Sequence, residues 1–447
     1  MFKKILVANR GEIAVRIIRA CKELGVETVA IYSEMDKDSL HVHLADEAIC
    51  IGPAISSKSY LNINNIISAA QITKAEAIHP GYGFLSENTK FANMCETNGI
   101  KLIGPREEHI SRMGNKSEAR RTMIEAGVPV VPGSEYATNK AEDAIKIAEE
   151  IGFPVMIKAA SGGGGRGMRL VYERDEFINM FNMAKAEASA AFDDDSMYIE
   201  KYIEGPRHIE FQILADEHGN VIHLGERDCS LQRRNQKVLE EAPCTIISDS
   251  VREEMGEMAV RAAKAVNYVS AGTIEFLLDK HGNYYFIEMN TRIQVEHPVT
   301  ELITGLDLIK WQIRIACGEK LEFKQEDIKI NGHAIECRIN AEDINNNFAP
   351  SPGTINDYLV PGGNGIRIDT HIYAGYKIPS TYDSMIGKLI AWGRDREEAI
   401  ARLQRALDEL IITGINTNID FHSQILCNDK FIENQIDTSF IEKEMMR

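Results

Sequence analysis

Two short apolar runs around a polar, glycine-containing break restrict the possible folds more than any other feature of this sequence. The runs are Thr273–Leu278 and Tyr284–Ile287, and the break between them is Lys280–Asn283. Runs of this length around a short polar segment with glycine are typical of a β-hairpin. The sequence therefore predicts two adjacent antiparallel strands, whose side chains alternate between the two faces of a sheet.

The predicted hairpin brings two acidic residues together. If Lys280–Asn283 forms the loop, Asp279 lies opposite Tyr284, and Glu275 lies opposite Glu288. Carboxylates that face each other on neighbouring strands repel, at a cost of about 0.2–1 kcal/mol relative to a neutral pair. A divalent cation reverses that repulsion, and Mg²⁺ often binds one or two carboxylates together with substrate phosphates. The pair therefore predicts a metal site.

Polar and apolar residues continue to alternate after the hairpin. Positions 287, 289, 293 and 295 are apolar, and the polar positions between and after them are Glu288, Asn290, Arg292, Gln294 and Glu296. In an extended chain these five side chains share one face. A solvated strand face would be expected to carry some Lys, Ser and Thr. The mixture of acids, amides and one arginine therefore favours a functional site over a solvated surface.

Length, charge and cysteine content limit the class of protein. The chain has 447 residues, a net charge of −17 and eight cysteines without a CxxC pair. At about 150 residues per domain, the length predicts about three domains. The negative charge argues against nucleic acid or an anionic membrane as partner, and no apolar run reaches the length of a membrane span. We therefore expect a cytoplasmic protein with reduced thiols.

Strand and helix patterns alternate in residues 1–110. The apolar run Ile5–Ala8 is followed by a helical pattern over residues 13–24 and by a second apolar run, Thr28–Tyr32. Such alternation predicts a doubly wound parallel sheet with crossover helices. The first turn, Asn9–Glu12, lacks GxGxxG, which argues against a dinucleotide site there.

Two glycine-rich segments are candidates for ligand contacts. A turn after the predicted strand that ends at His79 presents Tyr82, either towards a ligand at the carboxyl end of the sheet or packed on a neighbour. Residues 161–167 contain five glycines between two predicted strands. Their N–H groups can curl around phosphate oxygens, although the loop lacks GK[ST]; the alternative is a flexible hairpin loop. Lys158 before this loop, and Lys116 at a predicted helix start, favour the phosphate interpretation.

The charged segment Glu226–Glu241 lies between the hairpin at 273–288 and a second predicted hairpin, His208–Gly225. It is either a solvated face or a part of the predicted site. Beyond residue 330 the pattern changes to short strands, turns and a helix near Arg396–Leu410, which predicts an α+β domain.

Six motifs extend over essentially the whole chain. They are Arg10–Ala14, His79–Asn88, the glycine loop at 161–167, Arg227–Ser230, Glu288–Glu301 and Glu336–Glu342. Together they closely resemble the biotin carboxylases, the ATP-grasp components of biotin-dependent carboxylases. The resemblance implies a pre-ATP-grasp domain with a doubly wound parallel sheet (1–113) and an ATP-grasp domain (114–330) with a mobile glycine-rich lid at about 131–204. It also implies a barrel-like α+β domain at 331–447.

The resemblance also implies roles for individual residues. The residues expected to bind ATP are Lys116, Lys158, Gly163, Gly164, Glu200, Lys201, Ile203, His208, Gln232 and Leu277. Those expected to bind two Mg²⁺ or Mn²⁺ ions are Glu275, Glu288 and Asn290. Those expected to bind bicarbonate are Lys237, Arg292, Gln294 and Val295. Those expected to contact biotin are Tyr82 and Arg338, and the catalytic residues are expected to be Glu296 as general base with Arg338, Arg292 and Lys237. Asn235 departs from the family, which often has histidine near the adenine at this position.

The implied reaction is ATP- and bicarbonate-dependent carboxylation of N1 of biotin through carboxyphosphate. We expect it as the first half-reaction of acetyl-CoA carboxylase, which supplies malonyl-CoA for fatty acid synthesis. The alternatives are the same half-reaction in a pyruvate or propionyl-CoA carboxylase, another ATP-grasp ligase, and an ATP-binding regulator without turnover. No Met-Lys-Met occurs, and the chain ends soon after its last predicted helix. We therefore expect biotin on a separate carrier protein, with carboxyltransferase subunits as further partners and a homodimeric state.

Overall fold

The computed structural model describes residues 1–160, 167–192 and 194–446 of the chain. These residues divide into two units. The first comprises Met1–Gly114, Arg207–Glu275 and Met289–Arg447, and the second comprises Asn115–Pro206 and Phe276–Glu288. The predicted phosphate-binding glycines Gly163 and Gly164 lie outside the described residues.

Five parallel strands form the N-terminal sheet of the first unit, in the order β3-β2-β1-β4-β5. The strands are β1 Lys4–Val7, β2 Glu27–Ser33, β3 Glu47–Gly52, β4 Ala77–His79 and β5 Lys101–Leu102. The helices that accompany them are α1 Gly11–Glu23, α2 Leu40–Leu44, α3 Ile63–Thr73, α4 Thr89–Thr97 and α5 Glu107–Gly114. The strand order reverses at β1, so the predicted doubly wound parallel sheet is confirmed.

A buried histidine in this domain makes stability depend on pH. The ring nitrogens of His41 lie 3.0 Å from the Ser39 hydroxyl and 3.1 Å from the Ile31 carbonyl oxygen. Burial lowers the pKa of His41 to about 4. Between pH 6.5 and 4 the unfolded chain therefore binds a proton at this position that the folded chain does not, and the free energy of unfolding falls as the pH is lowered.

We expect His41→Gln to reduce this acid sensitivity. Relative to its value at pH 7, the free energy of unfolding at pH 5 should fall by about 2 kcal/mol less in the variant than in the wild type. Urea unfolding followed by circular dichroism at the two pH values measures the difference. The exposed His43 of the same helix provides the matched control, His43→Gln. An equal reduction in the control would contradict the assignment.

The second unit contains three antiparallel strands packed on helices. Its elements are α6 Lys116–Glu125, α7 Ala141–Ile151, β6 Val155–Ala159, β7 Met168–Val171, α8 Arg174–Phe192 and β8 Met197–Lys201. The sheet has the order β7-β6-β8. Helix α6 begins at Lys116 because the Asn115 side chain accepts a hydrogen bond from the N–H of Glu118. Val155, Ile157 and Ile199 are fully buried in the core of this unit.

An eight-stranded sheet in the order β13-β12-β9-β10-β11-β14-β19-β18 carries eight of the predicted site residues. The strands from Arg207 onwards are β9 Arg207–Ala215, β10 Val221–Arg233, β11 Gln236–Ala242, β12 Ser270–Leu278, β13 Tyr284–Asn290, β14 His333–Asn340, β15 Glu342–Asp343, β16 Ala349–Pro350, β17 Tyr358–Leu359, β18 Ile366–Thr370, β19 Met385–Gly393 and β20 Ile411–Ile412. The helices are α9 Asp249–Ala265, α10 His297–Thr304, α11 Leu308–Ala316, α12 Arg396–Glu409, α13 Ile419–Leu426 and α14 Asp429–Ile432. Strand β11 pairs with β14, so the sheet continues past residue 330.

Two details of the predicted hairpin are wrong. The N–H of Asp279 donates to the carbonyl of Asn283, where Tyr284 was expected opposite Asp279. Strand β13 ends at Asn290, so the alternation up to residue 296 does not lie on one continuous strand. The four-residue loop from which Glu275 was expected to lie opposite Glu288 is therefore not the loop observed at Asp279. The pairing of Glu275 with Glu288 stays a prediction.

The charged segment 226–241 is not a solvated face. Most of it forms β10 and β11, and the side chain of Arg227 is fully buried. The turn between the two strands is Arg234-Asn235, with φ of 52° and 60°. Asparagine tolerates this left-handed conformation better than most residues, which gives a local reason for Asn235.

The eight cysteines are free, and Cys21, Cys95, Cys229, Cys244 and Cys337 are buried. Within the described ranges, no helix is long and apolar enough to cross a membrane.

Candidate active site

The side chains of neighbouring antiparallel strands meet on one face of the large sheet. Strand β9 supplies His208 and Glu210, which are two residues apart and therefore share a face. Arg227 on β10 is the direct partner of Glu210 in the strand register. Strand β11 supplies Lys237, and β12 supplies Glu275.

Three buried carboxylates surround the ammonium group of Lys237. The Lys237 Nζ lies 2.5 Å from Glu210 Oε2, 3.1 Å from Glu275 Oε1 and 2.6 Å from Glu296 Oε1. Burial alone lowers the pKa of Lys237, but the three carboxylates outweigh it and hold the pKa well above its usual value. Lys237 is therefore a permanent cation at the centre of an acidic cluster.

Glu296 is bound by a different cation at each of its oxygens. Oε1 accepts from Lys237 at 2.6 Å, and Oε2 accepts from the Nη2 of Arg338 at 3.0 Å. Burial raises the pKa of Glu296, but Lys237 and Arg338 outweigh that effect and lower it. A deprotonated carboxylate between two cations has the charge state that a general base requires.

Glu275 is the acceptor on which the amide side chains converge. Its Oε1 accepts from Asn290 Nδ2 at 2.7 Å and from Gln294 Nε2 at 2.8 Å, and its Oε2 lies 3.1 Å from His208 Nε2. Although burial lowers the pKa of His208, Glu275 and Glu210 raise it to about 9. His208, Glu210 and Glu275 each offer a ligand atom within 4.8 Å of the others, which is a possible metal-binding group.

Arg292 and Tyr82 also have specific partners in the first unit. The Arg292 Nε donates to Glu87 Oε2 at 2.8 Å, and its Nη2 donates to Asn290 Oδ1 at 2.8 Å. Tyr82 lies in a turn in which Gly81 and Gly83 have φ of 61° and 70°, and its hydroxyl donates to Glu12. The turn around Tyr82 is therefore the glycine-dependent one that the sequence predicts.

The remaining predicted ATP contacts lie in both units. In the first unit, Gln232 Nε2 lies 3.1 Å from His208 Nδ1. In the second unit, Lys158 Nζ lies 2.5 Å from Glu200 Oε2, and Lys201 Nζ donates to the carbonyls of Gly152 and Phe153 at 2.9 and 3.0 Å. The second unit also contains the predicted ATP contacts Lys116, which is exposed, and Ile203 and Leu277, which are half-buried. The predicted metal ligand Glu288 lies in the same unit and is exposed.

Several residues of the cluster were not predicted as site residues. They include Glu210, Arg227, Glu87, Glu240 and Lys388. Glu210 alternates with His208 on a predicted strand, and that signal would have found it. Arg227 and Glu87 lie inside recognised motifs, whereas the sequence carries no local signal for Lys388, because its partner Val295 is 93 positions away.

Comparison with known proteins defines first the class of the chain and then its family. Residues 115–324 match the ATP-binding domain of the carbamoyl-phosphate synthase L chain, and the protein is an ATP-dependent ligase with an ATP-grasp domain. Residues 1–110 match the biotin carboxylase N-terminal domain, and residues 336–443 match the biotin carboxylase C-terminal domain. The chain belongs to the biotin carboxylase family.

Individual relatives cover nearly the whole chain. The biotin carboxylase of Nostoc sp. is 60% identical over 442 residues, covering 99% of each chain. A pyruvate carboxylase subunit of Methanothermobacter thermautotrophicus is 56% identical over 443 residues, covering 99% of this chain and 90% of its own. The biotin carboxylase domain of the Hydrogenobacter thermophilus 2-oxoglutarate carboxylase is 53% identical, with a TM-score of 0.93 over 100% of this chain and 98% of that one. That structure is a dimer in complex with MgADP, ADP and bicarbonate.

Proposed function

We propose that this chain uses ATP and bicarbonate to carboxylate N1 of biotin, which a separate carrier protein presents. The observation that carries the proposal is the buried Glu296 carboxylate between Lys237 at 2.6 Å and Arg338 at 3.0 Å. It combines a charged base with two cations that can bind anions. A binding protein without turnover has no need for a buried base held in this state.

In the first step a bicarbonate oxygen attacks the γ-phosphorus of ATP, and ADP leaves. Lys237, Arg292, Gln294 and the backbone of Val295 hold bicarbonate, and Glu296 accepts its proton, so that carboxyphosphate forms. Charge neutralisation and in-line positioning dominate the catalysis of phosphoryl transfer. Lys237 supports both, because its buried ammonium group stays positively charged at the position proposed for bicarbonate.

Carboxyphosphate then releases CO₂ next to biotin. The phosphate that leaves at the same time accepts the proton of N1 of biotin, which is a weak nucleophile until it loses that proton. The enolate that remains on the ureido group then attacks CO₂ through N1. Arg338 stabilises that charge, and Tyr82 lies against the biotin ring. A preorganised cation of this kind acts without a reorganisation cost at the moment of reaction.

The proposal also assigns residues to the metal ions and to ATP. Glu275, Glu288 and Asn290 provide oxygen ligands, the kind that Mg²⁺ and Mn²⁺ prefer, and Glu275 keeps a pKa well below its usual value. Two bound ions would neutralise charge on the ATP phosphates. The residues that bind ATP are Lys116, Lys158, Gly163, Gly164, Glu200, Lys201, Ile203, His208, Gln232 and Leu277.

For the physiological context we propose acetyl-CoA carboxylase, with a biotin carboxyl carrier protein and carboxyltransferase subunits as partners, a homodimeric state and a cytoplasmic location. The relatives include a biotin carboxylase and a pyruvate carboxylase subunit. Co-purification of the transferase would distinguish acetyl-CoA from pyruvate or propionyl-CoA as final acceptor.

The proposed function is tested by ATP hydrolysis with and without bicarbonate and free biotin. We expect phosphate release that depends on bicarbonate, and transfer of ¹⁴C from labelled bicarbonate to biotin. Hydrolysis that is independent of bicarbonate would favour another ATP-grasp ligase, and no hydrolysis would favour a regulator.

Arg338→Gln separates the two half-steps. Loss of one preorganised charge stabiliser costs about 2.7–4 kcal/mol, or about 10²–10³ in rate. We expect this loss in biotin carboxylation and a much smaller one in bicarbonate-dependent ATP hydrolysis, because Lys237 still binds Glu296. Parallel assays of the two activities measure the difference. An equal loss in both would remove Arg338 from the biotin step.

A further inference from the structure

Lys388 is a fully buried lysine whose ammonium group holds a backbone carbonyl of the proposed bicarbonate pocket. It lies on β19, directly opposite Arg338 on β14. Its side chain is 0% exposed, and its Nζ donates to the carbonyl of Val295 at 2.7 Å. The second partner of the ammonium is Glu12 Oε1, at 3.2 Å.

The surroundings of Lys388 keep it charged at a considerable cost. Burial alone lowers its pKa, but the carboxylates of Glu12, Glu336 and Asp369 outweigh burial and raise the pKa above its usual value. Removing an ion from water costs several kcal/mol even in a relaxed protein interior. A hydrophobic side chain at this position would avoid that cost. The sequence nevertheless places an ammonium where it reaches the pocket backbone.

The segment that Lys388 holds has few other constraints from secondary structure. Strand β13 ends at Asn290 and α10 begins at His297, so residues 291–296 lie between regular elements. Gln294 and Glu296 project from this segment, directly before and after Val295. The carbonyl that Lys388 binds belongs to the peptide bond between Val295 and Glu296, so this hydrogen bond holds the peptide plane from which Glu296 continues.

Glu12 connects the same ammonium to the proposed biotin contact. Its Oε1 accepts from the hydroxyl of Tyr82 and lies 3.2 Å from Lys388 Nζ. One carboxylate oxygen thus anchors the Tyr82 ring and, through Lys388, the Val295 carbonyl. The two proposed substrate contacts are attached to a single buried ion pair.

We propose that Lys388 is a positioning residue that aligns the bicarbonate pocket through the Val295 carbonyl, with Glu12 as its anchor. This inference rests on the proposed function and names residues that act on that site without touching substrate. A purely structural ion pair would stabilise the fold without setting the geometry of residues 294–296. The positioning role and the purely structural role predict different KM values for bicarbonate in a variant that lacks the charges of both Lys388 and Glu12.

The test compares Lys388→Met with the double variant Glu12→Gln/Lys388→Met in the full-length chain. Misplacing a binding group by about 1 Å can lower the rate of a reaction about 100-fold. We therefore expect the KM for bicarbonate to rise about tenfold or more in both variants. The KM for ATP should stay within about twofold of the wild-type value. The double variant removes the uncompensated carboxylate that Lys388→Met leaves behind. We therefore expect it to regain thermal stability but not the wild-type KM for bicarbonate.

Arg396→Met is the matched control, because Arg396 forms a comparable ion pair with buried Glu241, at 2.7 Å, in the same unit. It should lose stability and keep its KM for bicarbonate. A wild-type KM for bicarbonate in the double variant would overturn the proposal. If Lys388→Met does not fold, the KM of the double variant alone tests the proposal. Wild-type protein without bicarbonate-dependent hydrolysis would instead overturn the proposed function.

Discussion

Replacing Lys237 by methionine is expected to lower the rate of bicarbonate-dependent ATP hydrolysis by about 10²–10³. The ammonium lies within 3.1 Å of Glu210, Glu275 and Glu296, and all three carboxylates are buried. Methionine keeps the volume of the aliphatic stem but removes the charge. The three carboxylates then repel one another at the position proposed for an anionic substrate.

The pH dependence identifies the cause of this loss. Without Lys237, Arg338 is the one cation among the described residues within ion-pair distance of Glu296, and burial then raises the pKa of the proposed base. The activity of the variant should therefore recover in part as the pH is raised, and the acidic limb of its kcat/KM profile should move to higher pH. Steady-state phosphate release from pH 6 to 9 measures both effects.

A surface lysine provides the control for Lys237→Met. Lys101 forms a solvent-accessible pair with Glu217 at 2.7 Å, and Lys101→Met should leave the rate and the pH profile unchanged. A Lys237→Met protein within tenfold of the wild-type rate, with the same pH profile, would show that this ammonium is not part of the reaction.

Replacing Arg227 by methionine is expected to lower the free energy of unfolding by about 3–5 kcal/mol, the typical cost of removing one partner from a buried ion pair. The guanidinium is fully buried and donates to five side chains. The acceptors, at 2.6–3.1 Å, are Glu210, Gln212, Thr273, Gln294 and Thr300. Methionine leaves these acceptors unpaired and makes none of the hydrogen bonds.

Urea unfolding followed by circular dichroism measures this loss. The matched surface pair is Arg394 with Glu398 at 3.1 Å, and Arg394→Met should change the free energy of unfolding by at most about 1 kcal/mol. The Arg227 variant should also bind bicarbonate less well, because Arg227 Nη2 orients Gln294 at 2.6 Å. A loss of stability equal to that of the surface control would contradict the central role of Arg227.

Local patterns were sufficient where the interaction itself is local. The strand–helix alternation of residues 1–110 predicted the parallel sheet, because apolar periodicity reports which face of an element is buried. The glycines around Tyr82 predicted a turn, and in the structure Gly81 and Gly83 have positive φ there. The hairpin at 273–288 was found, although its loop begins one residue earlier than expected, since side-chain type does not distinguish a four-residue from a five-residue loop.

The candidate active site shows where such reasoning ends. The polar alternation at 288–296 was expected on an extended chain, whereas β13 stops at Asn290, and the roles predicted for these residues stay predictions. The charged segment around Arg227 had two open interpretations, and only the pairing of β10 with β9 and β11 shows that it is buried.

The sequence by itself determined the family, through motifs that extend over the whole chain, and the elements whose periodicity is local. The tertiary structure decided which charges meet. Lys237 and Glu296 are 59 positions apart, and Lys388 and Val295 are 93 apart. Periodicity specifies the face of a strand on which a side chain lies, but not which strand becomes its neighbour. That choice depends on packing and hydrogen bonding across the whole sheet, where the cost of burying each charge is balanced by its partners.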